Sequence, residues 1–573
     1  MNFLASYLSP YKGRMALGLS IKVVGTLVEL VLPAILTHIL ENVIVTLDVR
    51  LVVLWGAVMI VCAAVACVCN ITANRMAARV SRDFSKKMRR DLFAKTLTLS
   101  ARQTDRFTIP SLESRITSDT YNVHSFVNMA QRMGVRAPML LVGGLAISFF
   151  MDSYLALVML AMLPVIFVIV YLISRNGIPL YSAVQTSVDS MVRVVREDTQ
   201  GIRVIKALSK NDYENRRYEK VNSRLSHDER RAGIVMGVVN PVMTLLMNLG
   251  IAAVVALSAY RVSRSLSSPA TVIAFIQYFT LISMAMLSIS RIFVMLTKCS
   301  ASAKRIAEVL GEPDEFFVSP CEATTDADAP HVSFKDVSFS YFGRQKNLDG
   351  ISFDLPRGSS LGIIGATGSG KTTLIRLLLR AYEPGEGEIK ISGRPLCSYG
   401  RGELSSMIGA SLQNGFLYSD TIEENISFGR DIPKEDIVRA AKIAQADEFI
   451  ASLEGGYSHV ISPKGTNLSG GQRQRILIAR ALAARPEILI LDDSSSALDY
   501  KTDAALRAAL ARELTGTTFI TVAQRVSSIK NCDRIIVLDG GRAIGYGTHE
   551  ELLQSCSVYK EISDSQMGGA FVE

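Results

Sequence analysis

The stretch Gly465–Asp499, GTNLSGGQRQRILIARALAARPEILILDDSSSALD, decides the fold of this chain. Leu468-Ser469-Gly470-Gly471-Gln472 stands just before a helical pattern that begins around Gln472. A serine and glycines at a helix start leave backbone N–H groups free to face an anion. After Pro486 the run Ile488-Leu489-Ile490-Leu491 ends in Asp492-Asp493. This pattern predicts a buried parallel strand with two carboxylates at its C-terminal tip, where open α/β sheets bind ligands. A carboxylate placed there suits Mg²⁺.

Upstream, Gly365-Ala366-Thr367-Gly368-Ser369-Gly370-Lys371-Thr372, followed by Thr373, comes directly after the apolar run Leu361–Ile364. It fits the phosphate-binding P-loop pattern in a strand–loop–helix context. Its glycines let backbone N–H groups curl around phosphate, Lys371 reaches the outer phosphates, and Thr372 offers a hydroxyl to Mg²⁺. P-loop, signature and acidic strand tip, in this order, resemble the nucleotide-binding domain of ABC transporters. The resemblance implies ATP and Mg²⁺ as cofactors.

The chain has 573 residues, 49% of them hydrophobic, with a net charge of +9. The apolar residues concentrate in the first 300 positions, in runs long enough to cross a bilayer. Basic residues flank those runs, as the positive-inside rule expects, and no aromatic-plus-basic module points to nucleic acid. The eight cysteines show no CxxC pair, so free thiols are expected. No short apolar region with a small-residue cleavage site follows Arg14, so no cleaved signal peptide is expected.

Met1–Lys12 is expected to lie on the membrane surface as a short amphipathic elbow. Spans are predicted over about residues 15–45 and 51–72, then two over 137–173 with a turn at Asp152-Ser153, then 234–260 and 271–296. The long polar stretches 74–136 and 175–231 between them are charge-laced and helix-like. The layout resembles an ABC exporter half-transporter. The expected fold is a membrane α-helical domain, with six transmembrane helices and long cytoplasmic extensions, joined to an α/β P-loop ATPase domain. Its boundaries are 1–310 for the membrane domain, 311–330 for an acidic linker, and 331–573 for the ATPase. Both termini and the ATPase are expected in the cytoplasm of the plasma or inner membrane. By resemblance, coupling helices fall near Thr108–Ser118 and Ala207–Arg216.

Some intramembrane polar residues have two readings. Lys22 and Glu29 share a helix face and are either a substrate-facing pair or, respectively, a snorkelling lysine and a bond to a neighbouring helix. Gln277, Thr280, Met284, Ser288 and Arg291 recur at helical spacing and either line a cavity or pack on a partner helix. Met236, Met243, Met247, Met284 and Met286 are either a pliable ligand surface or ordinary packing.

Further ATPase residues follow from the resemblance. Tyr341, after the strand-like Val332–Ser340, takes the place of the aromatic that stacks on adenine. Gln413 takes the Q-loop place, contacting Mg²⁺ beside Thr372 and Asp492. Ser469, Gly470, Gly471 and Gln472 are the signature, which serves the ATP of a second ATPase domain, and Ser496–Asp499 matches the D-loop. Ser462-Pro463-Lys464-Gly465 departs from the usual acidic cross-linking loop.

Two departures bear on catalysis. After Asp492 the family's hydrolytic pattern has Glu; here it is Asp493, whose carboxylate retreats by about 1 Å, a misplacement that costs on the order of 10²-fold. At the end of the switch strand the family usually has His; here it is Gln524, which hydrogen-bonds but carries neither proton nor charge. Together they imply a site that binds ATP and hydrolyses it poorly, beside an intact signature. The expected partner is therefore a second, different half-transporter, forming a heterodimer that exports a drug-like small molecule, lipid or peptide in contact with membrane lipid. A homodimer with slow sites and an ATP-gated regulatory or channel subunit are the alternatives.

Overall fold

The computed structural model describes residues 2–264, 268–314, 318, 326, 328–341, 343, 345–413, 415–494 and 496–567. Most of the predicted acidic linker, including Pro320, lies outside the described residues. The chain forms two compact units. One comprises Met1–Leu97 with Ile109–Glu312, the other Thr98–Thr108 with Pro313–Glu573.

The first unit is helical: α1 (Asn2–Leu8), α2 (Lys12–His38), α3 (Val49–Thr98), then, after α4 (Ala101–Phe107) of the second unit, α5 (Ile109–Ser114), α6 (Thr120–Met133), α7 (Arg136–Met151), α8 (Ser153–Ala207), α9 (Asn211–Gly237), α10 (Val239–Ser263) and α11 (Pro269–Leu310). Among the described residues, five continuous helical stretches are long and apolar enough to cross a membrane: Phe3–Thr46, Val49–Thr98, Ile109–Met151, Asn211–Ser263 and Pro269–Leu310. The remaining predicted span opens α8, a continuous helix whose apolar part includes Ser153–Ile169. The turn between α7 and α8 falls at Asp152. Its carboxylate accepts from the N–H groups of Tyr154 (3.0 Å) and Leu155 (3.4 Å), capping α8. Its other oxygen binds Arg261 Nε at 3.1 Å, and the Arg261 guanidinium lies 4.5 Å over the Tyr154 ring. The charge that interrupts the apolar run is thus satisfied on every side.

Lys22 and Glu29 do not pair with each other as a substrate-facing couple, and Lys22 does not snorkel. It is buried, and its ammonium donates to Asn70 (2.8 Å) and Asn74 (3.2 Å) of α3. Glu29 binds a neighbouring helix: Arg136, at the start of α7, grips both its oxygens at 2.6 and 3.2 Å. Along α11 the core residues Phe275, Tyr278, Phe279 and Ile282 are buried, whereas Met284 is 63% exposed. Gln277 is half-buried, Arg291 is exposed, and Thr280 and Ser288 bond to carbonyls of their own helix. Met284 and Arg291 therefore turn away from the unit's own core, while Gln277, Thr280 and Ser288 lie at its margin. The methionines divide: Met243 and Met286 are buried with Ile166 and Leu246, and Met284 is not.

The expected coupling segment Thr108–Ser118 falls almost wholly in the membrane unit. Residues from 109 onward belong to the membrane unit, because Asp119 binds Ser302 Oγ and Arg305 Nε of α11, both at 2.8 Å, and Arg115 donates to the Arg305 carbonyl at 3.0 Å. The segment that groups with the ATPase residues is Thr98–Thr108, which contains α4. The other expected segment is the tip between α8 and α9, where Leu208 and Tyr213 are exposed.

The second unit is a two-sheet α/β fold. Its larger sheet has the order β10 (Arg542–Gly547), β9 (Arg534–Asp539), β3 (Ser360–Gly365), β8 (Thr518–Val522), β7 (Ile488–Asp492), β6 (Ile408–Ser411). The strands from β9 to β6 are parallel, and β10 is an antiparallel edge. All five residues of β7 are buried, as its unbroken apolar run requires. The smaller antiparallel sheet runs β2 (Leu348–Leu355), β1 (Val332–Phe339), β4 (Glu386–Ile391), β5 (Arg394–Pro395). Its inward residues and those of β3, β7 and β8 share one core with the helix α12 (Lys371–Leu378). The C-terminal tips of β3, β7 and β8 consequently lie side by side, and the loops leaving them form the site.

Candidate nucleotide site

The P-loop leaves β3 and enters α12 through Gly370, in the left-handed region at φ +102°. A Cβ there would come within 2.6 Å of Leu348 Cδ2 and 2.9 Å of the Asn347 carbonyl, so only glycine fits. Lys371 Nζ donates to the carbonyls of Gly365 and Ala366, each at 2.8 Å, which folds the side chain back over the loop. Below it opens a cavity of about 250 Å³. It is lined by Thr367, Gly368, Gly370, Lys371, Thr372 and Thr373 of the loop, by Gln413, by Asp492 and Asp493 at the tip of β7, and by Val522 and Gln524 at the end of β8. Asn347 also lines it and was not predicted; it lies in the turn before β2, where no spacing rule marks it.

The electrostatics favour a cation beside a polyanion. Burial, then the adjacent Asp493 carboxylate, pushes the Asp492 carboxyl above its ordinary range, against the opposing pull of Lys371. Burial likewise lowers the Lys371 ammonium, partly offset by the two carboxylates. Ser369 Oγ is buried with no hydrogen-bond partner. The donor set offered by Thr372, Gln413 and Asp492 is all oxygen, the chemistry Mg²⁺ takes. The residues present fit Mg²⁺ and a phosphate chain.

Asp493 sits at φ +51°, a conformation a non-glycine residue rarely adopts. Its N–H donates to the Val522 carbonyl at 3.0 Å, tying the β7 tip to β8. Its carboxylate oxygen Oδ2 accepts from Gln524 Nε2 at 2.8 Å and from Gln413 Nε2 at 3.3 Å. The three side chains at which the switch, the Q-loop and the acidic tip meet thus form one neutral-amide clamp on one carboxylate.

Two predicted groups are not part of this cavity. Tyr341 stands to its side: its hydroxyl lies 3.3 Å from Thr373 Oγ1, and its ring packs edge-on against Phe339 and Tyr382. The signature begins the helix Gly470–Leu482, one turn-fraction earlier than expected, with Ser469 as N-cap. Ser469 Oγ accepts from Gln472 N at 3.2 Å while Gln472 Oε1 accepts from Ser469 N at 2.9 Å, a reciprocal capping box. Ser469 and Gly470 are exposed and away from the P-loop cavity.

A helical membrane unit and a P-loop α/β unit on one chain define a nucleotide-driven membrane transporter. Residues 15–286 match the family described as ABC transporter transmembrane region, and residues 348–496 that described as ABC transporter. The uncharacterized ABC transporter ATP-binding protein YfiB of Bacillus subtilis (strain 168) is 34% identical over 569 residues, covering 98% of each chain. The uncharacterized ABC transporter ATP-binding protein Rv1273c of Mycobacterium tuberculosis (strain ATCC 25618 / H37Rv) is 32% identical over 580 residues, 99% of this chain and 98% of that one. The structure of a bacterial Atm1-family ABC exporter with ATP bound has the same fold, with a TM-score of 0.82 at 23% identity over 98% of this chain and 99% of that chain. The chain belongs to the ABC transporters. It is an ATP-hydrolysing translocase, a multi-pass membrane protein whose nucleotide-binding domain is cytoplasmic.

Proposed function

We propose that the protein is one half of a heterodimeric ABC exporter and that its own site holds Mg·ATP while hydrolysing it slowly. The observation that supports this most is the clamp on Asp493. A carboxylate one methylene short of glutamate is engaged by two amides, neither of which carries a proton to or from water. The binding parts are complete. The P-loop N–H groups would cradle phosphate, Lys371 would exchange the Gly365 and Ala366 carbonyls for the outer phosphates, and Thr372, Gln413 and Asp492 would hold the cation. Mg²⁺ supplies charge neutralisation on the phosphates. Asp493 orients the attacking water poorly because its carboxylate stops short and is already bonded.

The exposed, well-capped Ser469 completes the site of a partner domain, so that turnover runs at the partner's P-loop. Closure of the paired ATPase domains then drives the membrane helices from inward- to outward-facing, exporting a hydrophobic small molecule, lipid or peptide. Native mass spectrometry of the tagged chain, drawn from its own membrane in mild detergent, tests the assembly. A second ATPase-bearing chain in equal amount is expected; a clean homodimer overturns the heterodimer.

A further inference from the structure

The short helix α4, Ala101–Phe107, is built into the nucleotide-binding unit. Ser100 and Gln103 form a capping box at its start, Ala101 packs against the main core, and Gln103 Nε2 donates to the Pro313 carbonyl at 2.9 Å. From its exposed side Asp105 reaches Tyr382, whose hydroxyl donates to Asp105 Oδ2 at 2.5 Å. Burial and the Asp105 carboxylate raise the Tyr382 phenol well above its ordinary range, so it stays a donor. The Tyr382 ring meets the Tyr341 ring edge-to-face, with centroids 5.0 Å apart at 88°. Phe339 closes the trio at 4.9 Å from Tyr341 and 5.6 Å from Tyr382. The Tyr341 hydroxyl is fixed by Thr373 and by Arg376, each at 3.3 Å, on the helix that carries Lys371 and Thr372.

Tyr341 therefore has three supports. Its hydroxyl is tied to α12, and its ring is flanked edge-on by Phe339 and by Tyr382, the latter in turn held by a carboxylate from α4. We propose that Asp105 is a positioning residue for recognition of the adenine base: through Tyr382 it sets the plane of the Tyr341 ring. This rests on Tyr341 being the surface on which adenine stacks.

The test uses the full-length transporter in detergent, titrated with Mg·ATP and with Mg·tripolyphosphate, which has no base. Tyr341→Ala is expected to weaken ATP binding and to leave tripolyphosphate unchanged. Asp105→Ala and Tyr382→Phe should each weaken ATP by about threefold or more, the effect of one hydrogen bond, again sparing tripolyphosphate. The double variant should cost no more than either alone, since both remove one bond. Two results overturn the proposal while leaving the stacking role intact: Tyr341→Ala lowers the ATP-to-tripolyphosphate ratio but the Asp105 and Tyr382 variants do not, or those variants weaken both ligands equally. An unchanged ratio in Tyr341→Ala removes the stacking role itself and the proposal with it.

Discussion

Restoring the two altered residues should wake the slow site. Asp493→Glu adds one methylene and carries the carboxylate about 1 Å further, and a displacement of that size at a reacting water is worth on the order of 10²-fold. Gln524→His replaces one of the two amides on that carboxylate, the closer one at 2.8 Å, with a ring able to carry a proton. Because the two side chains touch, their effects should couple rather than add. The cost in stability is small: at φ +51° glutamate is somewhat less at ease than aspartate, a penalty of at most about 1 kcal/mol. The assay must hear this site alone. A Ser469→Arg background serves, since a bulky cation on the signature should silence the partner's ATP and leave this chain's P-loop as the source of turnover. In that background the double variant should hydrolyse about 10- to 100-fold faster than its parent. Unchanged turnover, with Mg·ATP still bound, would refute the assignment of slowness to residues 493 and 524.

Other outcomes follow from the same structure. Lys371→Ala should abolish most nucleotide photolabelling of this chain while the complex keeps part of its ATPase activity; complete loss of turnover would argue against asymmetric sites. Arg261→Ala leaves the Asp152 carboxylate, 4% exposed, without its cation and should lower stability in detergent by roughly 3–5 kcal/mol, read as a fall in Tm. His331 is fully buried, its Nδ1 is 2.6 Å from Thr518 Oγ1, and burial depresses its pKa from 6.5 to about 4. The unfolded chain therefore takes up a proton the folded one refuses, so its stability contribution is complete above pH 6.5 and drains away toward pH 4. His331→Gln should flatten the decline in Tm between those pH values, and an unaltered slope would assign the acid sensitivity elsewhere.

The ATPase unit was readable because its signals are local. A P-loop is a backbone device, and its glycines must appear in sequence wherever the chain has to pass through φ +102° at position 370. An unbroken apolar run followed by two carboxylates can hardly be anything but a buried strand with a polar tip, and β7 is buried at all five positions. What stayed hidden are the groups brought in from afar. Asn347 enters the cavity from a turn before β2, and Asp105 reaches Tyr382 across 277 positions. Periodicity and spacing report on neighbours along the chain, and neither reports on a contact made by folding.

The membrane unit shows the same limit in its charges. Apolar length predicts where helices cross, and basic flanks predict which side they end on. Neither says which partner a buried charge will choose, because that choice depends on helix rotation and register. Lys22 and Glu29 share a helix face, yet the lysine takes two asparagines from α3 and the glutamate takes Arg136 from α7. Arg115 and Asp119 likewise look like surface charges in sequence, but both bond to α11 within the membrane unit. That leaves Thr98–Thr108 as the piece of chain grouped with the ATPase residues. Within that piece the Asp105 carboxylate accepts from the Tyr382 phenol at 2.5 Å, a bond between residues that no local pattern links.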